Sequence, residues 1–116
     1  MNDKRSIAVL PFVNISSNSE AEYFSDGITE EIINALAKIQ ELRVTSRTSS
    51  LSFKGTNSTI SEIGKQLNVS IILEGSVRLS GTSARITTQL IEVKNDFHFW
   101  SETFDRDLSN VFAVQD

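Results

Sequence analysis

The sequence predicts an α/β protein, a two-layer sandwich in which two helices pack on a mixed sheet of about five strands. Residues 69–92 hold two β-branched runs around a short loop with Gly81, a pattern typical of an antiparallel hairpin. Upstream, two segments with apolar residues at three- and four-residue spacing alternate with short apolar runs, which indicates strand–helix–strand units with parallel strands. The predicted order is β-α-β-α-β-β-β, followed by the start of a C-terminal helix.

The first predicted strand is residues 6–13, an almost continuous apolar run. Such a run is typical of a strand that is covered on both faces. Because Pro11 has no N–H to donate to a β-ladder, we expect it at the end of the strand or at a bulge. Residues 14–21 are polar and predict a loop.

The first predicted helix is residues 24–39, and it carries one apolar stripe made of Phe24, Ile28, Ile32, Ala35, Leu36 and Ile39. Ser25 or Asp26 is expected to cap its start. Glu30 and Glu31 are then close enough to the N-terminus to complement the helix dipole. A short strand follows at residues 42–46.

The second predicted helix is residues 60–67, after a polar loop at residues 47–58. Thr59 and Glu62 have the spacing of a capping box, in which each side chain accepts a hydrogen bond from the other residue's backbone N–H. Asn68 suits the left-handed position that ends a helix. This loop between the two helices is the most polar stretch of the sequence away from its ends.

The hairpin alternates apolar and polar residues, which predicts one buried face. Ile72 is the one apolar residue on the polar side, opposite the face formed by Val69, Ile71, Leu73, Val77 and Leu79. A third antiparallel strand is expected at about residues 98–106. Asp107 is positioned to cap a final helix that begins at Leu108.

Composition indicates one soluble globular domain, residues 1–116. The net charge of −4 argues against binding to nucleic acid or to an anionic membrane, and no apolar run is long enough to span a bilayer. The chain has no cysteine, so disulfides, thiolate nucleophiles and cysteine zinc sites are excluded. We expect no cofactor and no metal, and both a cytoplasmic and a periplasmic location remain open.

No combination of residues predicts catalysis. His98 is the only histidine, and no Gly-x-Ser-x-Gly motif supplies a serine nucleophile for it. Gly55 and Gly64-Lys65 are too far apart for a phosphate-binding loop. We therefore expect a protein that is not an enzyme.

The loop after the second strand is a candidate binding site for a small anionic ligand. It follows the carboxyl end of a parallel strand, where open α/β sheets tend to bind ligands. Its cations, hydroxyls and glycine are Arg47, Thr48, Ser49, Lys54 and Gly55. The alternative is that Arg47 pairs with Glu74 or another carboxylate and that the hydroxyls satisfy the backbone of the loop.

A group of aromatic residues near the C-terminus is a candidate surface for a protein partner: Phe97, Phe99, Trp100, Phe104 and Phe112. Strict alternation places Trp100 and Phe104 on one face of the strand and Phe97 and Phe99 on the other. Aromatic side chains that face outward are typical anchors of interfaces. The alternative is that loops or the C-terminal helix cover them.

The chain also resembles the TolB amino-terminal-like domain. The resemblance rests on successive blocks at residues 7–12, 23–31, 46–49, 53–55, 73–78, 89–91 and 100–108. It implies an accessory domain of larger bacterial proteins, often followed by tetratricopeptide repeats and often attached to an adenylate cyclase or winged-helix domain. It implies no catalytic residues.

The sequence thus favours a non-catalytic interaction or regulatory module of a bacterial signalling or envelope protein. Its partner would be a protein or a neighbouring domain of the same chain, docked on the terminal strand, its aromatic residues and the final helix. An exposed edge strand is a further place where a partner strand could pair. The alternative is a sensor of a small anionic ligand, bound at the loop that carries Arg47 and Lys54.

Overall fold

The computed structural model describes residues 5–16 and 20–107, and these form one six-stranded mixed sheet with three helices. The strands are β1 (Arg5–Val9), β2 (Val13–Asn14), β3 (Leu42–Val44), β4 (Ile71–Ser80), β5 (Ser83–Glu92) and β6 (Phe97–Asp107). The helices are α1 (Glu20–Ala37), α2 (Arg47–Leu51) and α3 (Ile60–Leu67). The strand order is β3-β1-β4-β5-β6, and β2 also pairs with β4. The predicted α/β sandwich with a mixed sheet is confirmed.

The sheet has a parallel half and an antiparallel half. Strand β1 runs parallel to both β3 and β4, whereas β4, β5 and β6 form an antiparallel meander. Two neighbouring parallel strands must be joined by a crossover connection, usually a helix. Helix α1 lies in the connection from β1 to β3, and α2 and α3 lie in the connection from β3 to β4. The meander is built from hairpins and needs no crossover.

The helices lie on opposite faces of the sheet. Helix α1 packs on the cluster that contains Ile7, Val9 and Leu73, and we call this side the α1 face. Helix α3 packs on Ala8 and Ile72 on the other side, the α3 face. Alternate residues of a strand point to opposite faces, so both sides of β1 are covered.

The first predicted strand is split in two. Ser6, Ile7, Ala8, Val9 and Leu10 are all buried, which confirms a strand covered on both faces. Pairing with β4 stops after β1 and resumes in β2, and Pro11 lies between the two, as expected of a residue that cannot donate to a ladder.

Helix α1 begins four residues before the predicted start, so the expected cap at Ser25 or Asp26 is wrong. Ser25 is fully buried inside the helix, and its hydroxyl donates to the carbonyl oxygen of Ala21 at 2.7 Å. Glu30 and Glu31 therefore lie in the middle of the helix, too far from its N-terminus to complement the dipole.

The polar segment at residues 47–58 is not entirely a loop, because it contains α2. Ser46 caps this short helix, and its hydroxyl accepts from the backbone N–H of Ser49. Helix α3 follows with the predicted bounds and the predicted capping box between Thr59 and Glu62. Asn68 ends α3 in the left-handed conformation, at φ 55°.

The hairpin is confirmed, with β4 and β5 in register from Ile71 opposite Glu92 to Ser80 opposite Ser83. Gly81 opens the connecting turn at φ 60°, a conformation that suits glycine at the first central position of a hairpin turn. Ile72, the apolar exception, is fully buried under α3. Val69 precedes β4 and belongs to the α3 face, not to the face predicted by alternation.

Strand β6 forms the outer edge of the meander, one residue longer at each end than predicted. The predicted final helix from Leu108 lies outside the described residues. No helix in residues 5–16 and 20–107 is both long and apolar enough to cross a membrane.

Candidate functional site

Two cations of the candidate ligand loop are held by a row of carboxylates on α1. Arg47 Nε lies 3.2 Å from Glu30 Oε2, and Lys54 Nζ lies 2.9 Å from Asp26 Oδ1 and 3.0 Å from Glu22 Oε2. The three carboxylates are four residues apart along α1, so they share one side of the helix. We call these five residues the ion-pair clip.

The clip favours the protonated form of its lysine. Hydrogen bonds to Asp26 and then to Glu22 raise the pKa of the Lys54 ammonium above its usual value. The ammonium is exposed, so solvent screens these pairs and each contributes little to stability. Their role is to position the segment that follows α2 against α1.

The segment after α2 forms one wall of a cleft of about 640 Å³. Phe53, Lys54, Gly55, Thr56 and Ser58 line this wall, and residues 10–15 line the end of the cleft beyond β1. The cleft therefore lies at the carboxyl end of β1, whereas the predicted binding site follows the carboxyl end of β3. Its volume is in the range of small-molecule sites.

The structure divides the five predicted ligand residues between two places. Lys54 and Gly55 line the cleft, whereas Arg47, Thr48 and Ser49 do not. Arg47 pairs with Glu30, in agreement with the alternative that it pairs with Glu74 or another carboxylate.

The cleft combines an apolar wall with a polar floor. Ile60 and Ile63 of α3 supply part of the wall, and Glu74, Ser76 and Gln89 supply the floor from β4 and β5. Glu74 and Glu22 give the cleft two carboxylates beside the single lysine. An anionic ligand would have to compete with Glu22 and Asp26 for that lysine.

The described residues form neither a hydrogen-bonded histidine–carboxylate pair nor a metal-binding cluster. His98 is mostly exposed, and its Nε2 lies 4.0 Å from Glu74 Oε1, beyond hydrogen-bonding distance. Within the described ranges, no group of three or more histidine, cysteine, aspartate or glutamate residues is arranged to hold a metal ion.

The aromatic residues of β6 form an exposed surface. Phe97 is 70% exposed, Phe99 53% and Trp100 41%, whereas Phe104 is half-buried and packs against the α1-face core. Phe112, the fifth aromatic of the predicted surface, lies outside the described residues. Large exposed aromatic groups of this kind are typical of interaction surfaces.

A bulge changes which aromatic residues share a face. Leu90 pairs with Trp100 and Ile91 with His98, so Phe99 is an extra residue in β6. Phe97 then pairs with Glu92 and lies on the α1 face with Trp100 and Phe104. The alternation that placed Phe97 opposite Trp100 is therefore wrong, because a bulge shifts the parity of every residue before it.

Two features of this region do not follow from the sequence. Asp26 and Glu30 of the clip are visible as acidic residues at four-residue spacing on the predicted helix, but Glu22 precedes that helix and nothing local identifies the partners of the three carboxylates. The exposed apolar side chains Val13 and Ile15, at the end of the cleft, fell in or beside a predicted loop.

The chain is 47% identical over 113 residues to a Rhizobium meliloti (strain 1021) protein named "Putative adenylate cyclase 3". That match covers 97% of this chain and 19% of the relative, so the chain spans about a fifth of the relative's length.

Two solved structures share the fold. Lipoprotein GNA1162 from Neisseria meningitidis superposes with a TM-score of 0.73 at 15% identity, over 96% of this chain and 92% of that one. TolB from Acinetobacter baumannii superposes with a TM-score of 0.58 at 13% identity, over 93% of this chain and 24% of that one. The resemblance to a TolB-type domain is thus confirmed for the fold.

A family profile matches residues 3–116, nearly the whole chain. The profile describes the second domain of HilA/YgeH-like transcriptional regulators. The chain therefore belongs to the family of HilA/YgeH-like transcriptional regulator second domains.

Proposed function

We propose that this chain is a non-catalytic regulatory domain of a larger bacterial signalling protein, and that it acts by docking another protein or a neighbouring domain. The observation that carries the proposal is the aromatic surface of β6, where three side chains are more than 40% exposed on one edge strand. A family defined as the second domain of regulators supports an accessory role. The adenylate cyclase name of a relative five times longer supports a signalling context.

Any catalysis would then reside in another domain. The described residues offer no metal-binding cluster, and the histidine lacks a hydrogen-bonded partner at the distance that proton transfer requires. We also propose that this is a TolB amino-terminal-like domain. The larger protein would then carry tetratricopeptide repeats or an adenylate cyclase domain attached to it.

The docking surface has two parts. The outer edge of β6 offers backbone N–H and C=O groups to a partner strand, and Phe97 and Trp100 offer apolar contact area on the α1 face. Burying two aromatic side chains of this size would supply much of the free energy of an interface.

A photo-crosslinking amino acid at Trp100 tests the docking role in the complete product of the gene. Crosslinks from position 100 to another domain or protein, mapped by mass spectrometry, are the expected result. The same probe at Tyr23 is the control, because this aromatic is 83% exposed and belongs to α1 rather than to β6. Crosslinks from Tyr23 alone, or from neither position, would contradict the proposal.

A ligand-sensing role is the second candidate, and it rests on the cleft beside Lys54 and Gly55. An anionic ligand there would exchange for the carboxylates of Glu22 and Asp26 on the lysine and so loosen the ion-pair clip. A ligand at a hundred times its dissociation constant stabilises a protein by about 2.7 kcal/mol. Thermal unfolding with nucleotides, sugar phosphates and carboxylates should therefore show a saturable rise in Tm that Lys54→Ala abolishes, and a flat panel would reject this role.

A further inference from the structure

Strand β6 is the long open edge of the sheet. It pairs with β5 on one side, and its other side carries no strand among the described residues. The opposite edge, β3, has only three residues, whereas β6 has eleven. An edge strand of this length presents a row of backbone groups to which another strand can pair.

The regular part of β6 begins after the bulge at Phe99. From Trp100 to Asp107 the pairing with β5 is continuous, so this stretch has the regular register that a partner strand needs. The bulge disrupts the first part of the edge and protects it from pairing. A partner strand is therefore restricted to the second part.

Two charged residues that form no ion pair with any described residue flank one aromatic residue in that stretch. Glu102 and Arg106 lie two positions before and two positions after Phe104, and all three lie on the α1 face. No ion pair of either residue is found within the part of the chain that the structure describes. Arg106 lies over the Phe104 ring, with its guanidinium carbon 5.5 Å from the centroid.

The other face of the same strands shows how such charges are satisfied. Asp105 lies directly opposite Arg85 on β5, and the Arg85 Nε to Asp105 Oδ1 distance is 2.9 Å. This bidentate contact lowers the pKa of the Asp105 carboxyl group and raises that of the guanidinium. On the α1 face, Glu102 lies opposite Thr88 and Arg106 opposite Ala84, so β5 supplies no opposite charge to either.

The charge pattern is complementary to itself in one antiparallel register. If two copies of β6 pair about Phe104, Glu102 of each copy lies opposite Arg106 of the other. Pairing about Glu102 would place two carboxylates opposite each other. Pairing about Thr103 would place Glu102 opposite Phe104 and leave both charges without an opposite charge.

We propose that the partner of the β6 edge is a second copy of this chain, paired antiparallel and centred on Phe104. This inference rests on the proposed docking function of β6 and names the occupant of that edge. The two-fold axis would run perpendicular to the sheet, so both copies keep α1 on the same side and the two sheets become continuous. Two Glu102–Arg106 pairs would fix the register, and the Phe104 rings would meet at the axis.

Charge reversal tests the register in solution. In Glu102→Arg, each predicted pair becomes arginine against arginine, and in Arg106→Glu each becomes glutamate against glutamate. Each variant alone should dimerise at least tenfold more weakly than the unaltered chain in sedimentation equilibrium. An equimolar mixture of the two variants restores opposite charges in every pair, so it should form a heterodimer at the original strength.

Glu31→Arg and Lys38→Glu are the matched controls. Both residues are exposed on or just after α1, and neither forms an ion pair in the described ranges. These variants should dimerise as the unaltered chain does, alone and mixed. Urea unfolding midpoints close to that of the unaltered chain establish that each variant is folded.

Three results would overturn the self-pairing: an unaltered chain that stays monomeric at millimolar concentration, single reversals that still dimerise, or a mixture that stays monomeric. The docking proposal can fail separately. If position 100 crosslinks to another domain and Glu102→Arg leaves that crosslink intact, β6 is a docking edge but its occupant is not a second copy.

Discussion

The hydroxyl group of Thr29 on α1 accepts a hydrogen bond from the backbone N–H of Phe12 at 2.9 Å, at the point where β1 breaks. Both residues are almost fully buried. The break removes Phe12 from the β-ladder, so its N–H needs another acceptor. The Thr29 hydroxyl in turn donates to the carbonyl oxygen of Ser25 at 2.9 Å. A helix side chain thus replaces a strand as the partner of the backbone.

We predict that Thr29→Val destabilises the fold by about 1–3 kcal/mol, because it keeps the shape of the side chain and leaves the Phe12 N–H buried without an acceptor. Urea unfolding measures the loss. Thr48→Val, at an exposed position of α2, is the control and should change the free energy of unfolding by less than about 0.5 kcal/mol. Equal effects at the two positions would show that the hydrogen bond contributes nothing.

Gly75 and Gly27 predict opposite effects of the same substitution. A Cβ at Gly75 would collide with the carbonyl oxygen of Thr87 and lie 2.5 Å from the Phe12 ring. Gly75→Ala should therefore lower the free energy of unfolding by about 1–3 kcal/mol, since neither a paired backbone nor a buried ring can move freely.

At Gly27, inside α1, a Cβ meets nothing within 4 Å. Gly27→Ala should raise the stability by about 0.4–1 kcal/mol, because alanine restricts the unfolded chain and favours the helix. Thermal unfolding of both variants checks the pair. A stable Gly75→Ala variant would mean that Phe12 does not pack on this strand as described.

How far the sequence predicted the fold depends on whether an interaction is local. The capping box of Thr59 and Glu62 spans four residues, so the local sequence predicts both the box and the bounds of α3. The start of α1 was not, because Ser25 has the composition of a cap but donates its hydroxyl back along the helix. At the split of the first strand, the acceptor for the Phe12 N–H is Thr29, which is 17 residues away in sequence.

The candidate sites follow the same rule. Lys54 and Arg47 were identified as cations in a loop, but their carboxylate partners on α1 become neighbours only when the segment packs against that helix. The aromatic residues of β6 were identified by composition. Their faces were partly wrong, because the bulge at Phe99 is set by pairing with β5 and has no signature in the strand itself.

The capping box makes one contribution to stability depend on pH. Hydrogen bonds from the Thr59 backbone N–H, and secondarily from its hydroxyl, lower the pKa of the Glu62 carboxyl group. A lowered pKa in the folded state means that this stabilisation is fully present above the unfolded value of about 4.3 and is lost as pH falls through the folded value.

Glu62→Gln should therefore lie below the unaltered chain in stability at pH 7, with a gap that narrows as pH falls below about 4. Urea unfolding from pH 7 to pH 3 measures the gap. Glu31→Gln is the control, since this carboxylate is exposed in the middle of α1. A gap that stays constant with pH would mean that the Glu62 carboxylate is not the acceptor.

The ion-pair clip predicts a local effect without a global one. Lys54→Gln removes the contacts to Asp26 and Glu22, and exposed pairs of this kind are worth about 0–1 kcal/mol in all. Limited proteolysis should nevertheless cleave residues 52–58 faster, because the segment loses its attachment to α1. Lys65→Gln on α3 is the control, and 0.5 M NaCl should reproduce the effect in the unaltered chain.

The placement of α1 and α3 on opposite faces buries the side chains of residues 6–9 of β1 above and below. The backbone of β1 is paired with β3 at residues 5–7 and with β4 at residues 7–9. Amide protons of Ile7, Ala8 and Val9 can then reach solvent only when both layers separate together. Their hydrogen-exchange rates therefore report the free energy of unfolding of the whole domain, whereas those of β6 report only the opening of an edge.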